Sequence, residues 1–107
     1  MTLAELKTAF ITEFPTGSPS YHYGKVPNGT KLPYVVATDN GSDNFAADNI
    51  VYKAKQGVSL ELYTRAKDET LEEKIEALLD SLEIYWEKSE TRDEEQNFYL
   101  NIYTFYR

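Results

Sequence analysis

Two segments carry most of the information about the fold: TLEEKIEALLDSL at residues 70–82 and NFYLNIYTFY at residues 97–106. In the first segment Thr70 and Glu73 are spaced as a capping box, which predicts a helix start. Its apolar residues recur every three or four positions and share one helix face: Leu71, Ile75, Leu78, Leu79 and Leu82. The second segment is apolar or aromatic on both sides of a strand, whereas a sheet covered on one side alternates apolar with polar residues. It therefore predicts a strand that is covered twice.

A second amphipathic segment lies near the N-terminus. Thr2 and Glu5 again fit a capping box, and Pro15 predicts the end of the helix. Its apolar face is formed by Leu3, Leu6, Phe10 and Phe14. This segment predicts a helix of about three turns that packs on the same core as residues 70–82.

The remaining segments are typical of strands and turns. Residues 16–32 are rich in Gly, Pro, Ser and Asn and predict a loop with one short strand at 21–25. Gln56-Gly57 predicts a tight turn, and the polar residues 39–49 predict a loop. The expected strands are 32–38, 50–55, 58–65, 84–90 and 97–106. This order predicts one α+β domain, residues 1–107, with a mainly antiparallel sheet of four to five strands and both helices on one face.

Composition restricts the classes of function. The chain has 107 residues, no cysteine and a formal charge of −7, which excludes disulfides and thiolate metal sites and argues against a protein that grips phosphate backbones. No apolar run is long enough to cross a membrane, and the first residues do not read as a signal peptide. We therefore expect synthesis into the cytoplasm, with no membrane partner and no specific nucleic-acid binding.

The excess negative charge is concentrated in residues 68–95, which carry 12 acids and three bases. Six of the acids fall beside the apolar arc of the second helix: Glu69, Glu72, Glu73, Glu76, Asp80 and Glu83. This acidic face is either a solubilising surface or a surface that repels polyanions or binds a basic partner.

A catalytic centre is not expected. His22 is the single histidine, and no nucleophile elbow or phosphate-binding loop accompanies it. Residues 39–49 resemble a calcium loop in composition but have their glycine at the wrong position and lack the final glutamate. A carboxylate pair for hydrolysis is defined only in space, so a small hydrolase remains the third hypothesis. We expect no enzyme activity, no cofactor and no metal.

An interaction surface is the more direct expectation. Nine tyrosines exceed ordinary usage, and Tyr is enriched at protein interfaces. Two interpretations stay open: a self-association surface, or aromatic residues packed under the 16–32 loop. For the first, the candidate interface residues are Tyr99, Tyr103 and Phe105, together with Phe45 as an exposed residue of the 39–49 loop.

Several segments resemble small head–tail connection and tail proteins of siphophages and prophages of Gram-positive bacteria. They are KLPYVV at 31–36, SDNFAADNIVY at 42–52, LELYT at 60–64, LEEKIE at 71–76 and YWEKSET at 85–91. The resemblance extends over the whole chain and is most specific from 31 to 64.

This resemblance implies a virion structural protein similar to tail terminator or tail-completion proteins. Such proteins form a ring, commonly a hexamer, that caps the tail tube and joins the head connector. The acidic face would then line a channel that does not hold DNA. The resemblance implies no catalytic residues in this chain. The alternative, from a different class, is a small acidic adaptor or DNA mimic that binds a basic partner.

Overall fold

The computed structural model describes the backbone of residues 1–47 and 50–106, and the side chains of residues 1–39 and 56–106. It contains two helices and one five-stranded sheet. In chain order the elements are α1 (Leu3–Glu13), β1 (Ser20–Tyr23), β2 (Tyr34–Ala47), β3 (Ile50–Thr64), α2 (Glu69–Ser81), β4 (Trp86–Asp93) and β5 (Phe98–Tyr106). The predicted α+β class is confirmed. Among the described residues, no helix has the length and hydropathy needed to cross a bilayer.

The strand order across the sheet is β1-β2-β3-β5-β4. β1 runs parallel to β2, and the other three pairs are antiparallel, which confirms a mainly antiparallel sheet. Both helices pack on one face, because the buried side chains of α1 and α2 join those of the sheet in a single core. The sheet contributes alternate positions to this core: Val35, Ala37, Val58, Leu60, Leu62, Tyr103 and Phe105.

The helix ends follow local capping. The hydroxyl of Thr2 accepts from the backbone N–H of Glu5 at 3.1 Å, as expected for α1. The predicted start of α2 at Thr70 is wrong: Asp68 is the N-cap, and its Oδ1 accepts from the N–H of Leu71 at 3.0 Å. Aspartate competes well for this position because its carboxylate also faces the positive end of the helix dipole.

The hairpin expected at residues 50–65 is also wrong. β3 runs without a break through Gln56-Gly57, and β2 continues past Thr38 into the segment expected to be a loop. β2 and β3 therefore pair with each other along nearly their whole length. Register shifts between Asp39 and Gly41 and between Phe45 and Ala46 accommodate the turn-forming residues, since a bulge absorbs an irregular residue without ending the ladder.

The outer part of this hairpin forms a two-stranded arm. β5 pairs with β3 only from Gly57 onward, and β1 pairs with β2 only as far as Ala37. The pairs from Ser42–Gln56 to Ala47–Ile50 therefore extend beyond the rest of the sheet. This arm is consistent with the elongated shape of the molecule, 49 × 31 × 25 Å.

Candidate functional site

Two of the four predicted interface residues are core residues. Tyr103 is fully buried and Phe105 is 4% exposed, because the side of β5 that carries them faces the helices. Tyr99, on the same side, is half-buried and has the guanidinium of Arg92 5.6 Å from its ring centroid. Phe45 lies opposite Lys53 in the arm rather than in a loop, and its side chain is outside the described residues. The predicted interface is therefore on the wrong side of β5.

The acidic face is not uniformly solvent-exposed. Glu72 is only 2% exposed, and its Oε1 accepts from the ammonium groups of Lys67 at 2.9 Å and Lys88 at 2.6 Å. Glu76 accepts from Lys88 at 2.7 Å and from the hydroxyl of Tyr103 at 2.8 Å. These bonds join α2 to β4 and β5.

A third acid of the predicted face is also bonded within the fold. Asp80 accepts from the indole N–H of Trp86 at 2.9 Å. The exposed members of the set are Glu69, Glu73, Asp80 and Glu83. Half of the predicted acidic face, Glu72, Glu76 and Asp80, therefore holds the helix on the sheet.

The network under α2 shifts pKa values in ways that follow from its geometry. Burial raises the pKa of the Tyr103 hydroxyl, and the bond to Glu76 raises it further. Burial by itself would raise the pKa of Glu72, but the hydrogen bonds from Lys88 and Lys67 outweigh it and leave the pKa below its ordinary value. Tyr103 therefore stays a hydrogen-bond donor and Glu72 an anion at neutral pH.

We expect this network to make the free energy of unfolding depend on pH in the acidic range. A carboxyl whose pKa is lowered in the folded state contributes stability that is present above its unfolded pKa and lost as pH falls through the folded pKa. Glu72→Gln should therefore be less stable than the wild type at neutral pH. The difference should shrink below the ordinary Glu pKa of about 4.3. Denaturant titrations of both proteins at neutral pH and below the ordinary Glu pKa measure this difference in unfolding free energy. A difference that is the same at the two pH values would contradict this role of Glu72.

The opposite face of the sheet carries a row of aromatic side chains that crosses four strands. His22 and Tyr34 meet edge to face with ring centroids 6.1 Å apart. Tyr34 stacks on Tyr63 at 4.9 Å, and Tyr63 meets Phe98 edge to face at 5.3 Å. Val36, Leu100 and Ile102 lie on the same face by register. In the part of the chain that the structure describes, no helix packs on this aromatic face.

Polar groups are bonded locally along this face. The hydroxyl of Tyr63 donates to Glu61 at 2.7 Å, and burial followed by this bond raises the pKa of Tyr63. The Ser20 hydroxyl lies 2.9 Å from Nε2 of His22. A catalytic triad also needs a carboxylate on the other ring nitrogen, and none contacts it within the described residues. His22 therefore belongs to the aromatic row.

A pocket opens at the end of the sheet where β2 begins and β3 ends. Its volume is 650 Å³, and it is lined by the segments 29–33 and 64–68. Leu32 and Pro33 supply apolar lining, and the cations are Lys31, Arg65 and Lys67. Pro33 directly precedes Tyr34, so this pocket adjoins the aromatic row along the chain. We call it the basic pocket.

No sequence signal predicted the basic pocket, because its cations come from two segments that only the hairpin brings together. For metals, the described side chains contain no group of three or more acids and histidines that could hold an ion. The side chains of residues 40–49, weighed above as a calcium loop, lie outside the described set. Comparison of the chain with protein-family models and with curated proteins finds no match.

Proposed function

We propose that the chain is a structural protein of a phage or prophage virion, of the tail terminator or head–tail joining type, that assembles into a ring at the head-proximal end of the tail. It acts through protein contacts and not through catalysis. The observation that carries the proposal is the aromatic face: one side of the sheet is covered by α1 and α2, while the other presents a row of aromatic side chains in mutual contact, with polar residues such as Glu61 and Thr104 beside it.

Physical reasoning favours a partner on this surface. An antiparallel sheet that faces water on one side normally carries polar residues there, whereas this face carries His22, Tyr34, Tyr63 and Phe98 in mutual contact. Aromatic side chains dominate the energetics of protein interfaces because they bury a large area and keep a polar tip. A ring of identical subunits needs two different contact patches on every copy, and the aromatic face would supply one of them.

The β4 edge of the sheet disfavours strand addition. The outer strand β4 is dominated by charged and polar residues, including Glu87, Lys88, Glu90 and Arg92. Charged edge strands discourage pairing with another chain. This favours assembly through the aromatic face over strand addition at β4.

The acidic adaptor is less well supported than the ring. A DNA mimic presents its carboxylates to a basic partner, but Glu72 and Glu76 are bonded to Lys88 inside the fold. The exposed acids Glu69 and Glu73 are consistent with a channel wall that does not retain DNA.

Ile102→Lys tests the aromatic face. Ile102 is half-buried on this face, opposite Glu61 and Ser89, so lysine can remain solvated beside Glu61 and the monomer should stay folded. Assembly should weaken at least about tenfold, because a charge would be buried at the contact. Ala77→Lys on the exposed side of α2 is the matched control. Analytical ultracentrifugation and incorporation into tails measure the effect, and unchanged incorporation of Ile102→Lys would exclude this face.

The virion role is tested independently by electron microscopy of particles made without the gene. We expect tails of abnormal length that do not join heads. Tails of normal length that attach to heads would overturn the proposed role.

A further inference from the structure

The connection between α2 and β4 presents one strongly exposed aromatic side chain. Tyr85 is 82% exposed, although Ile84 before it is buried and Trp86 after it is half-buried. Exposed aromatic residues of this kind are the usual anchors of protein interfaces. Glu83 and Glu87 flank Tyr85 on either side. We call residues 83–87 the acidic knob.

The backbone holds the knob in a defined shape. Glu83 adopts a left-handed conformation with φ of 58°, which costs energy for a residue other than glycine. The N–H of Ile84 donates to the carbonyl of Leu79 at 3.1 Å, and that of Glu83 to Asp80 at 3.0 Å. This is a Schellman ending, which closes α2 and turns the chain outward.

The basic pocket complements this knob in charge: Lys31 and Arg65 outnumber the one lining acid, Asp68, and the third lining cation, Lys67, is paired with Glu72 and Glu90. Lys31 and Arg65 line it and form no ion pair in the described part of the chain, nor do Glu83 and Glu87. A pocket of 650 Å³ is large enough for a tyrosine side chain. Arginine also favours contact with an aromatic ring.

The two surfaces lie at opposite ends of the strands of one subunit. The basic pocket is at the end where β2 begins and β3 finishes, and its Lys67 reaches Glu90 of β4 at 2.6 Å. The acidic knob precedes β4 at the other end, where β5 finishes. A subunit can therefore offer its pocket to one neighbour and its knob to another, which is the head-to-tail contact that a ring requires.

Other acids are less suited to the pocket. Glu94 pairs with Arg92 at 3.7 Å, and Asp93 accepts from the N–H of Gln96 at 3.0 Å. Both belong to a turn at the same end of the sheet as the pocket, and neither stands beside an exposed aromatic side chain. The knob combines free carboxylates with an anchor.

We propose that the acidic knob of one copy, with Tyr85 as its anchor, docks into the basic pocket of the next copy. This inference rests on the proposed ring and names a contact between neighbouring subunits in addition to the aromatic face. The occupant is a second copy of this chain, because the complementary charges and the anchor are both present on it.

Charge reversal tests the contact. The first variant carries Lys31→Glu and Arg65→Glu, and the second carries Glu83→Lys and Glu87→Lys. Each alone should associate at least about tenfold more weakly than the wild type, because like charges would meet. An equimolar mixture should regain assembly. The acidic pocket of the first variant then receives the basic knob of the second, and the basic pocket of the second receives the acidic knob of the first. Sedimentation velocity and native mass spectrometry measure the species, and circular dichroism confirms that each variant is folded.

A second pair of variants tests the anchor. Tyr85→Ala should weaken association about tenfold or more, whereas Tyr23→Ala, which removes a tyrosine that is 52% exposed elsewhere, should leave it unchanged.

Failure of the mixture of the two charge-reversed variants to regain assembly would overturn the contact. A wild-type chain that stays monomeric up to about 1 mM would also overturn it, while the proposed virion role would still be decided by the particles made without the gene. If both charge-reversed variants still formed rings as the wild type does, the contact would be refuted and the proposed virion role would stand.

Discussion

Replacing Tyr103 with aspartate should unfold the domain. Tyr103 is fully buried between the sheet and α2, where its ring meets Trp86 at 5.6 Å and its hydroxyl donates to Glu76 at 2.8 Å. The substitution removes an aromatic ring from the core, at about 3–5 kcal/mol. It also places a carboxylate beside Glu76 and Glu72, where burial and like charge both oppose it. Since domains are stable by about 5–15 kcal/mol, most of the folded population should be lost.

Tyr106→Asp is the matched control for this prediction. Tyr106 is on the same strand but 53% exposed on the aromatic face, so the same substitution should cost less than about 1 kcal/mol. Thermal unfolding followed by circular dichroism compares the two. If Tyr103→Asp remained folded but failed to assemble, Tyr103 would be an interface residue, as the sequence suggested, and the core described here would be wrong.

The sequence was sufficient to predict the fold class and the presence of both helices. Apolar periodicity placed Leu71, Ile75, Leu78 and Leu79 on the buried face of α2, and Pro15 placed the end of α1. Both signals are local, because a helix forms from contacts between residues three and four apart. The helix start at Asp68 was missed because Thr70 and Glu73 have the spacing of a capping box and Asp68 does not.

The long β2–β3 hairpin could not be predicted from local signals. Residues 39–44 and Gln56-Gly57 have the composition of turns, yet both lie within strands. Strand propensity depends on the neighbouring strand, and here the ladder between β2 and β3 overrides the local preference. The arm and the basic pocket both depend on this pairing.

The sequence predicted that β5 is covered on both sides, whereas in the described part of the chain the helices cover one side, and the pattern could not say which side that would be. Period-two alternation defines two faces and leaves open which is the core. The side with Tyr103 and Phe105 has the larger aromatic residues at its C-terminal end and packs against α2. The other side, with Phe98, Leu100 and Ile102, completes the aromatic face.

Glu72→Lys should destabilise the domain by roughly 2–3 kcal/mol, less than the about 3–5 kcal/mol of a fully buried ion pair, because solvent screens Lys67 and Lys88, which are 36% and 28% exposed. Glu72 is 2% exposed and accepts from both Lys67 and Lys88. A lysine at this position would meet two like charges without access to water. The same change at Glu73, the next residue on the exposed side of α2, should cost less than about 0.5 kcal/mol.

Urea unfolding of the two variants at neutral pH measures this difference, and equal losses would mean that the network does not hold α2 on the sheet. The outcome also decides how a channel wall can be tested. Because Glu72, Glu76 and Asp80 are bonded to β4 and β5, reversing them would disturb folding before it changed any contact with DNA. Reversal of the exposed Glu69 and Glu73 leaves the network intact, so a change in DNA passage in that variant would report on the wall itself.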